Sequence, residues 1–471
     1  MGAGPNILLI VLDTARADAF EPYGAAAGAT PTLAQLASRG AAVDQAYSPA
    51  CWTVPSHGAM FTGLLPRTSQ IGPSAHGRPA RITEMINASE DRLLSSVLTA
   101  NGYATAGVST NAWVSPRIGF DRGFETFTFI ESQRNAMSGS WKERAAWAWQ
   151  SLRARVDDGA TAVEDLLSTW LVERNQQKPF FWFVNLIECH SPYLPPKPYD
   201  DLGALDRLRA GEEASEYLTF VALTRACLVG HDIPETALRR MRYLYQRAIR
   251  LLDDWLARVL EGLDRAGVLD ETIVIVTSDH GENFGENDLM GHGYSLDQRL
   301  IRVPFVTSGP WSPPGDRVVS LAEIPRLLGD AIGLPDHPWQ ADPRYDVAVA
   351  QLDSPCAPDD PYALEALREF GLSEAVLPRM VRTMSCATDG HVKLFREGTT
   401  ETIIDLDDDP LETTFVPVGR AHELRHGNVL TRLRTALDAA GALEATGDAD
   451  SGPRTIDDPD LEAQLRLLGY I

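Results

Sequence analysis

The chain has 471 residues, of which 44% are apolar and 23% charged, and its formal charge is −23. Such a composition belongs to a soluble globular protein with room for one large domain and a smaller one. The acidic balance argues against non-specific binding to nucleic acid or an anionic membrane, which needs clustered Lys and Arg, but it leaves a small anionic substrate open.

The first informative stretch is "NILLIVLD" at 6–13, a continuous apolar run ending in Asp13. It predicts a parallel strand buried on both faces, with the acid at its carboxyl end. The run is too short for a membrane span and no basic residues precede it, so neither a signal peptide nor an anchor is expected there. "TPTLAQLASRG" at 30–40 has helical spacing and a glycine stop, and "GAMFTGLL" continues a helix that starts near Pro55-Ser56. "GYATAGVST" (102–110) and "PFFWFVNLIECH" (179–190) read as strands, residues 134–178 and 236–268 as helical, and "ETIVIVTSDHGE" (271–282) as a strand that ends in Asp279-His280. After "VPFVTSGP" (303–310) Pro and Gly become frequent and shorter strands follow at 346–352, 391–397 and 400–406, before an amphipathic closing helix at "LEAQLRLLGYI".

Strands that alternate with helices and end in polar residues predict an α/β domain: a large, mostly parallel or mixed sheet flanked by helices, with a site at its carboxyl edge. Residues 1–335 form the catalytic domain in this reading, with a variable helical insert at 134–240, and 336–471 form a smaller C-terminal α+β domain. The cysteines at 51, 189, 227, 356 and 386 are odd in number, widely spaced and in no CxxC pattern. A disulfide framework or zinc knuckle is therefore not expected, and a reducing, cytoplasmic setting fits best.

Asp13, Asp279 and His280 bring hard ligands to strand ends, a set that suits Mg, Mn, Ca or Zn; singly, each also fits a helix cap or a turn. Between them lies "CWTVPSHGAMFTG" at 51–63, where Thr53 or Ser56 stands at a helix start. A hydroxyl there is either a cap or a nucleophile made more acidic by the helix end, and the pattern alone leaves both open.

The sequence resembles the sulfatase-like branch of the alkaline phosphatase superfamily. The resemblance rests on "PNILLIVLDTARADAFEPYG", on "TPTLAQLASRGAAVDQAYSPACWTVPSHGAMFTGLLP", on "PFFWFVNLIECHSPYLPP", on "GVLDETIVIVTSDHGENFGENDLMGHG" and on "VRTMSCATDGHVKLFREGTTETIIDLDDDPLE", so it spans both domains. It implies that Asp13, Asp279 and His280 bind one divalent metal with the nucleophile as a further ligand. It further implies that His190 and His292 contact the transferred or leaving group, that Arg16 and Asp18 support the site, and that Asn111 lines the pocket. Sulfatases carry Cys-x-Pro-Ser-Arg, where the Cys becomes formylglycine; here Thr53 stands two before Pro55, Cys51 is out of register, and His57 replaces the arginine. Formylglycine is thus not expected, and Thr53 takes the nucleophile's place.

Thr14 stands where the family has a second acid, which disfavours a carboxylate-rich calcium site and favours Mn or Zn. A second metal would need another acid, and Glu188 is the one nearby candidate in the sequence. The expected function is cleavage or transfer of a phosphoryl-type group on a small anionic ester (a phosphate mono- or diester or a phosphonate ester) through a covalent Thr53 intermediate. The rivals are a sulfuryl or sulfamoyl ester enzyme without formylglycine, and a non-catalytic binding protein on the same scaffold. The segments 134–178 and 200–240 are expected to shape the pocket mouth. The oligomeric state is not readable from the sequence.

Overall fold

In the computed structural model, residues 4–72, 79–131, 157–313, 317–342, 346–354, 364–365, 367–368 and 370–441 are described. The closing helix expected at 461–471, and the part of the 134–178 stretch before residue 157, lie outside them. The first domain contains β1 (Asn6–Leu12), β2 (Ala41–Ala42), β3 (Ala46–Tyr47), β4 (Ala104–Ser109), β5 (Thr126–Phe129), β6 (Phe180–Leu186), β7 (Thr272–Thr277), β8 (Asn283–Phe284), β9 (Met290–Gly291), β10 (Phe305–Ser308) and β11 (Val319–Ser320).

Seven of these strands form one sheet in the order β2-β10-β7-β1-β6-β4-β5. The five from β7 to β5 run parallel, while β10 is antiparallel to both β7 and β2. The apolar run of β1 is explained by the layers on its two sides. Ile7, Leu9 and Val11 face one core with Val54, Met60 and Phe61 of the helix Thr53–Thr62, and Leu8, Ile10 and Leu12 face the other. That second core is closed by the helices Pro31–Arg39, Ala160–Glu173 and Glu235–Arg265. A strand covered on both faces needs apolar side chains at every position, so no alternation survives in its sequence.

The smaller sheet is antiparallel throughout, in the order β12 (Ala348–Leu352), β13 (Met384–Thr388), β14 (Val392–Glu397), β15 (Thr400–Asp405), β16 (Val416–Pro417). One face packs on Leu430, Leu433 and Leu437 of the helix Arg420–Ala439, and the other, through Ala350, Cys386 and Phe395, joins the core of the large domain. The strand β13 was not foreseen. Its sequence, MSCAT, is short and made of small residues, and it is a strand because β12 and β14 flank it on both sides.

Candidate active site

Because β7, β1, β6 and β4 are adjacent and parallel, their carboxyl ends open on one edge of the sheet. Asp13 follows β1, Asp279 and His280 follow β7, His190 follows β6 and Asn111 follows β4. Residues far apart in the chain meet there by topology alone. Ligand atoms of Asp13, Asp279 and His280 lie within 4.8 Å of one another, and all three residues are buried.

The turn after β1 is strained and tied down. Thr14 has φ of 58°, unusual for a β-branched residue. Its amide donates to Asp279 Oδ1 (3.2 Å), its hydroxyl donates to the Asp13 carbonyl (2.7 Å), and Tyr245 Oη donates to its carbonyl (2.9 Å). Arg16 pairs with Asp18 and Glu286, which secures the next turn as a supporting contact.

The helix Thr53–Thr62 places Thr53 in its first turn, with Oγ1 3.3 Å from His280 Nε2. Ser56 does a different job: its hydroxyl donates to the Asp279 carbonyl (2.8 Å) and meets Ser48 Oγ at 3.0 Å, so it fastens this helix to the end of β7. Cys51 is fully buried, and burial pushes its thiol pKa well up, the opposite of what a thiolate nucleophile requires. Trp52 packs edge-on to Trp113 in the core.

The four histidines sort into distinct roles. His280 Nδ1–H donates to the Gly281 carbonyl (2.9 Å), which leaves the Nε2 lone pair facing Thr53 and the two aspartates. His292 Nδ1–H donates to Glu282 Oε1 (2.9 Å), and Glu282 is held in turn by Tyr193 Oη (2.9 Å). His190 Nδ1–H donates to the Ser191 carbonyl (2.9 Å), and its ring lies 5.1 Å from that of His292, which lies 4.4 Å from that of His280.

His57, in the place of the family's arginine and expected among the catalytic residues, is held by the chain on both ring nitrogens. Its Nδ1 donates to the Thr53 carbonyl (2.9 Å) and its Nε2 accepts from Asn185 Nδ2 (3.3 Å), so both nitrogens are committed to the chain. Burial holds its pKa down to about 3, so the ring is neutral. These two bonds tie the first turn of the Thr53 helix to β6.

The charge balance asks for a cation. Burial raises the pKa of Asp13 well above the carboxylate range, with the Asp279 charge adding to it, and burial raises that of Asp279 to about 7. Asp13 Oδ2 accepts from Asn111 Nδ2 (2.6 Å), but Asp13 Oδ1 and Asp279 Oδ2 are buried without a hydrogen-bond partner. Two orphaned carboxylate oxygens beside one imidazole lone pair fit a divalent ion, which would take the place of the missing donors. Glu188, the sequence's candidate for a second-site acid, accepts instead from the amides of Asp158 and Ala160 at the start of the helix Ala160–Glu173. The acid beside His292 is Glu282, in the "DHGE" string next to the metal pair, and its position in that string was the signal available in the sequence.

A sulfatase family profile matches residues 5–324. The chain belongs to the sulfatase family. It is thereby a hydrolase of the alkaline phosphatase superfamily that acts on ester bonds. This sulfatase-family chain is 23% identical to a choline-sulfatase of Rhizobium meliloti over 452 residues, 87% of this chain and 82% of the relative. Over a shorter 147-residue stretch, 27% of this chain and 28% of the relative, it is 32% identical to the multifunctional alkaline phosphatase superfamily protein PehA of Trinickia caryophylli. A solved phosphonate monoester hydrolase of Agrobacterium radiobacter shares its fold, with a TM-score of 0.63 and 20% identity over 92% of this chain and 94% of that one.

Proposed function

We propose that this chain cleaves or transfers a phosphoryl-type group on a small anionic ester (a phosphate mono- or diester, or a phosphonate ester) through a covalent ester on Thr53. The observation that carries the reading is the placement of Thr53 Oγ1 against His280 Nε2, in the first turn of a buried helix, while the neighbouring Cys51 is buried and protonated. Asp13, Asp279 and His280, with Thr53 as a further ligand, would hold one divalent ion, Mn or Zn by the mixed oxygen and nitrogen donors. A bound divalent ion supplies positive charge that lowers the pKa of an adjacent hydroxyl and offsets charge on the transferred group.

The chain's own residues do the rest. Thr53 gives up its proton to solvent water and its oxygen bonds to phosphorus, the bond from phosphorus to the leaving oxygen breaks, and that oxygen departs with the electron pair. His190 or His292, each with Nδ1–H already donated, presents Nε2 to protonate the leaving oxygen. Glu282 accepts from His292 Nδ1–H and so fixes the ring's orientation. Water or another acceptor then attacks phosphorus and gives its proton to the histidine that protonated the leaving oxygen, the bond from phosphorus to Thr53 Oγ1 breaks, and Thr53 takes up a proton from solvent. Formylglycine is not needed, since the residue two before Pro55 is Thr53.

A second reading, a sulfuryl or sulfamoyl ester enzyme, is favoured by the sulfatase family profile and the choline-sulfatase relative. Metal-loaded protein incubated with aryl phosphate, phosphonate monoester, phosphodiester and sulfate ester separates the two. Turnover of the phosphorus esters is expected, and turnover of the sulfate ester alone would reverse the assignment. Cys51, Cys189, Cys227 and Cys386 are all buried thiols, in keeping with the cytoplasmic placement we propose.

A further inference from the structure

Some distance along the His292 loop lies a second concave feature that the site above does not use. Its volume is about 320 Å³, near the lower end of the ~300–1,000 Å³ spanned by ligand pockets. Leu228, Tyr294, Leu296, Met384, Phe395 and Phe415 give it apolar and aromatic walls. They come from the helix Phe220–Val229, the loop between β9 and β10, the inner strands β13 and β14 of the small sheet, and the residue just before β16.

Two observations tie this cavity to a ligand. Asp297 lines it, is only 2% exposed, and its Oδ1 has no hydrogen-bond partner. Its other oxygen accepts from Ser295 Oγ (2.5 Å), and Oδ1 faces Arg299 Nε only at 3.6 Å, beyond hydrogen-bonding range. A buried acceptor of this kind calls for a donor. The cavity also adjoins the site. Tyr294, on its wall, is two residues from His292, so their Cα atoms are at most about 7 Å apart. Cys227, also on the wall, donates to the carbonyl of Met290 (2.9 Å), two residues before His292, which ties the wall to the loop that carries the site histidine.

We infer that this cavity receives the organic part of the ester, a compact aromatic or cyclic body bearing a hydrogen-bond donor that meets Asp297, with the exposed Arg379 on its solvent side. The inference rests on the proposed function for its role in turnover, but not for binding itself. Thr402 lies on β15, half-buried on the cavity wall, and Thr402→Trp would fill the space. The test has two arms. In calorimetry 2-naphthol is expected to bind the wild-type protein saturably and at least tenfold more weakly to Thr402→Trp; equal binding to both, or none to the wild type, would overturn the subsite. In kinetics the ratio of kcat/KM for 6-hydroxy-2-naphthyl phosphate, whose ring hydroxyl supplies the donor for Asp297, to that for methyl phosphate is expected to fall at least tenfold in the variant, through KM; an unchanged ratio would also overturn it. If neither phosphate ester is turned over by the wild type, the functional assignment fails while the calorimetric arm still decides the subsite. Phe415→Ala, at a residue 47% exposed, repeats the binding arm with loss of wall rather than filling, and there too weaker binding is expected and unchanged binding counts against the subsite.

Discussion

At the scale of single residues, the nucleophile assignment separates two neighbours that differ by two positions. Thr53→Ala removes the only atom proposed to bond phosphorus, so kcat is expected to fall by about 10³-fold or more while the circular dichroism spectrum and Tm stay near wild type. Retained turnover would remove Thr53 from the mechanism. Cys51→Ala is expected to keep turnover, because the buried thiol takes no part, and an assay of the two variants side by side distinguishes the positions. Glu282→Gln takes the negative charge from His292, and a loss in kcat of about 10–100-fold is expected, as for other residues that orient a functional imidazole. The register count from Pro55 singled out Thr53 in the sequence, and the structure places its hydroxyl 3.3 Å from His280 Nε2. The role of His57 was not legible, because it depends on Asn185, 128 residues away in the chain, to occupy the second ring nitrogen.

At the scale of elements, the small domain grips the loop that carries His292. Lys393 of β14, fully buried, donates to the Leu296 carbonyl (2.5 Å) and to Glu412 Oε1 (2.7 Å). Glu412 Oε2 accepts from the Gln298 amide (2.6 Å), and Arg299 reaches the Leu411 carbonyl (2.7 Å). Removing one partner of a buried pair strands the other charge, so Lys393→Met is expected to cost about 3–5 kcal/mol in urea denaturation. It is also expected to lower kcat by loosening the His292 loop, and an unchanged stability would show that the pair is not the clamp. The strands of the large sheet were readable because burial on both faces writes a continuous apolar run. The short strand β13 was not, since MSCAT carries no such run and its pairing partners lie on both sides of it in space. The helix Phe220–Val229 supplies Cys227 and Leu228 to the cavity beside the site, and a role for 200–240 at the mouth of the catalytic pocket is a proposal.

At the scale of the whole molecule, four parallel strands bring their ends together, and that topology made the site legible before any distance was known. Asp13 and the Asp279-His280 pair stand at the ends of obvious strands, so their convergence follows once the strands are adjacent. The supporting shell was less legible, because Asn111, Glu282 and Tyr193 are tied to the site by contacts rather than by strand position. A metal bound at the two partnerless carboxylate oxygens, one each of Asp13 and Asp279, should couple to folding. With free ion at about 100 times its dissociation constant, unfolding is expected to cost about 2.7 kcal/mol more than for chelator-treated protein, read as a higher Tm that depends on metal concentration. A Tm indifferent to Mn and Zn would argue against an ion at Asp13, Asp279 and His280.

The most direct test is a mass spectrum of metal-loaded protein quenched during turnover of an aryl phosphate and then digested. The peptide containing residues 51–63 is expected to carry a phosphoryl adduct that fragmentation places on Thr53. An adduct on Cys51, on one of the histidines or outside this peptide, or turnover with no adduct on Thr53, would contradict the account.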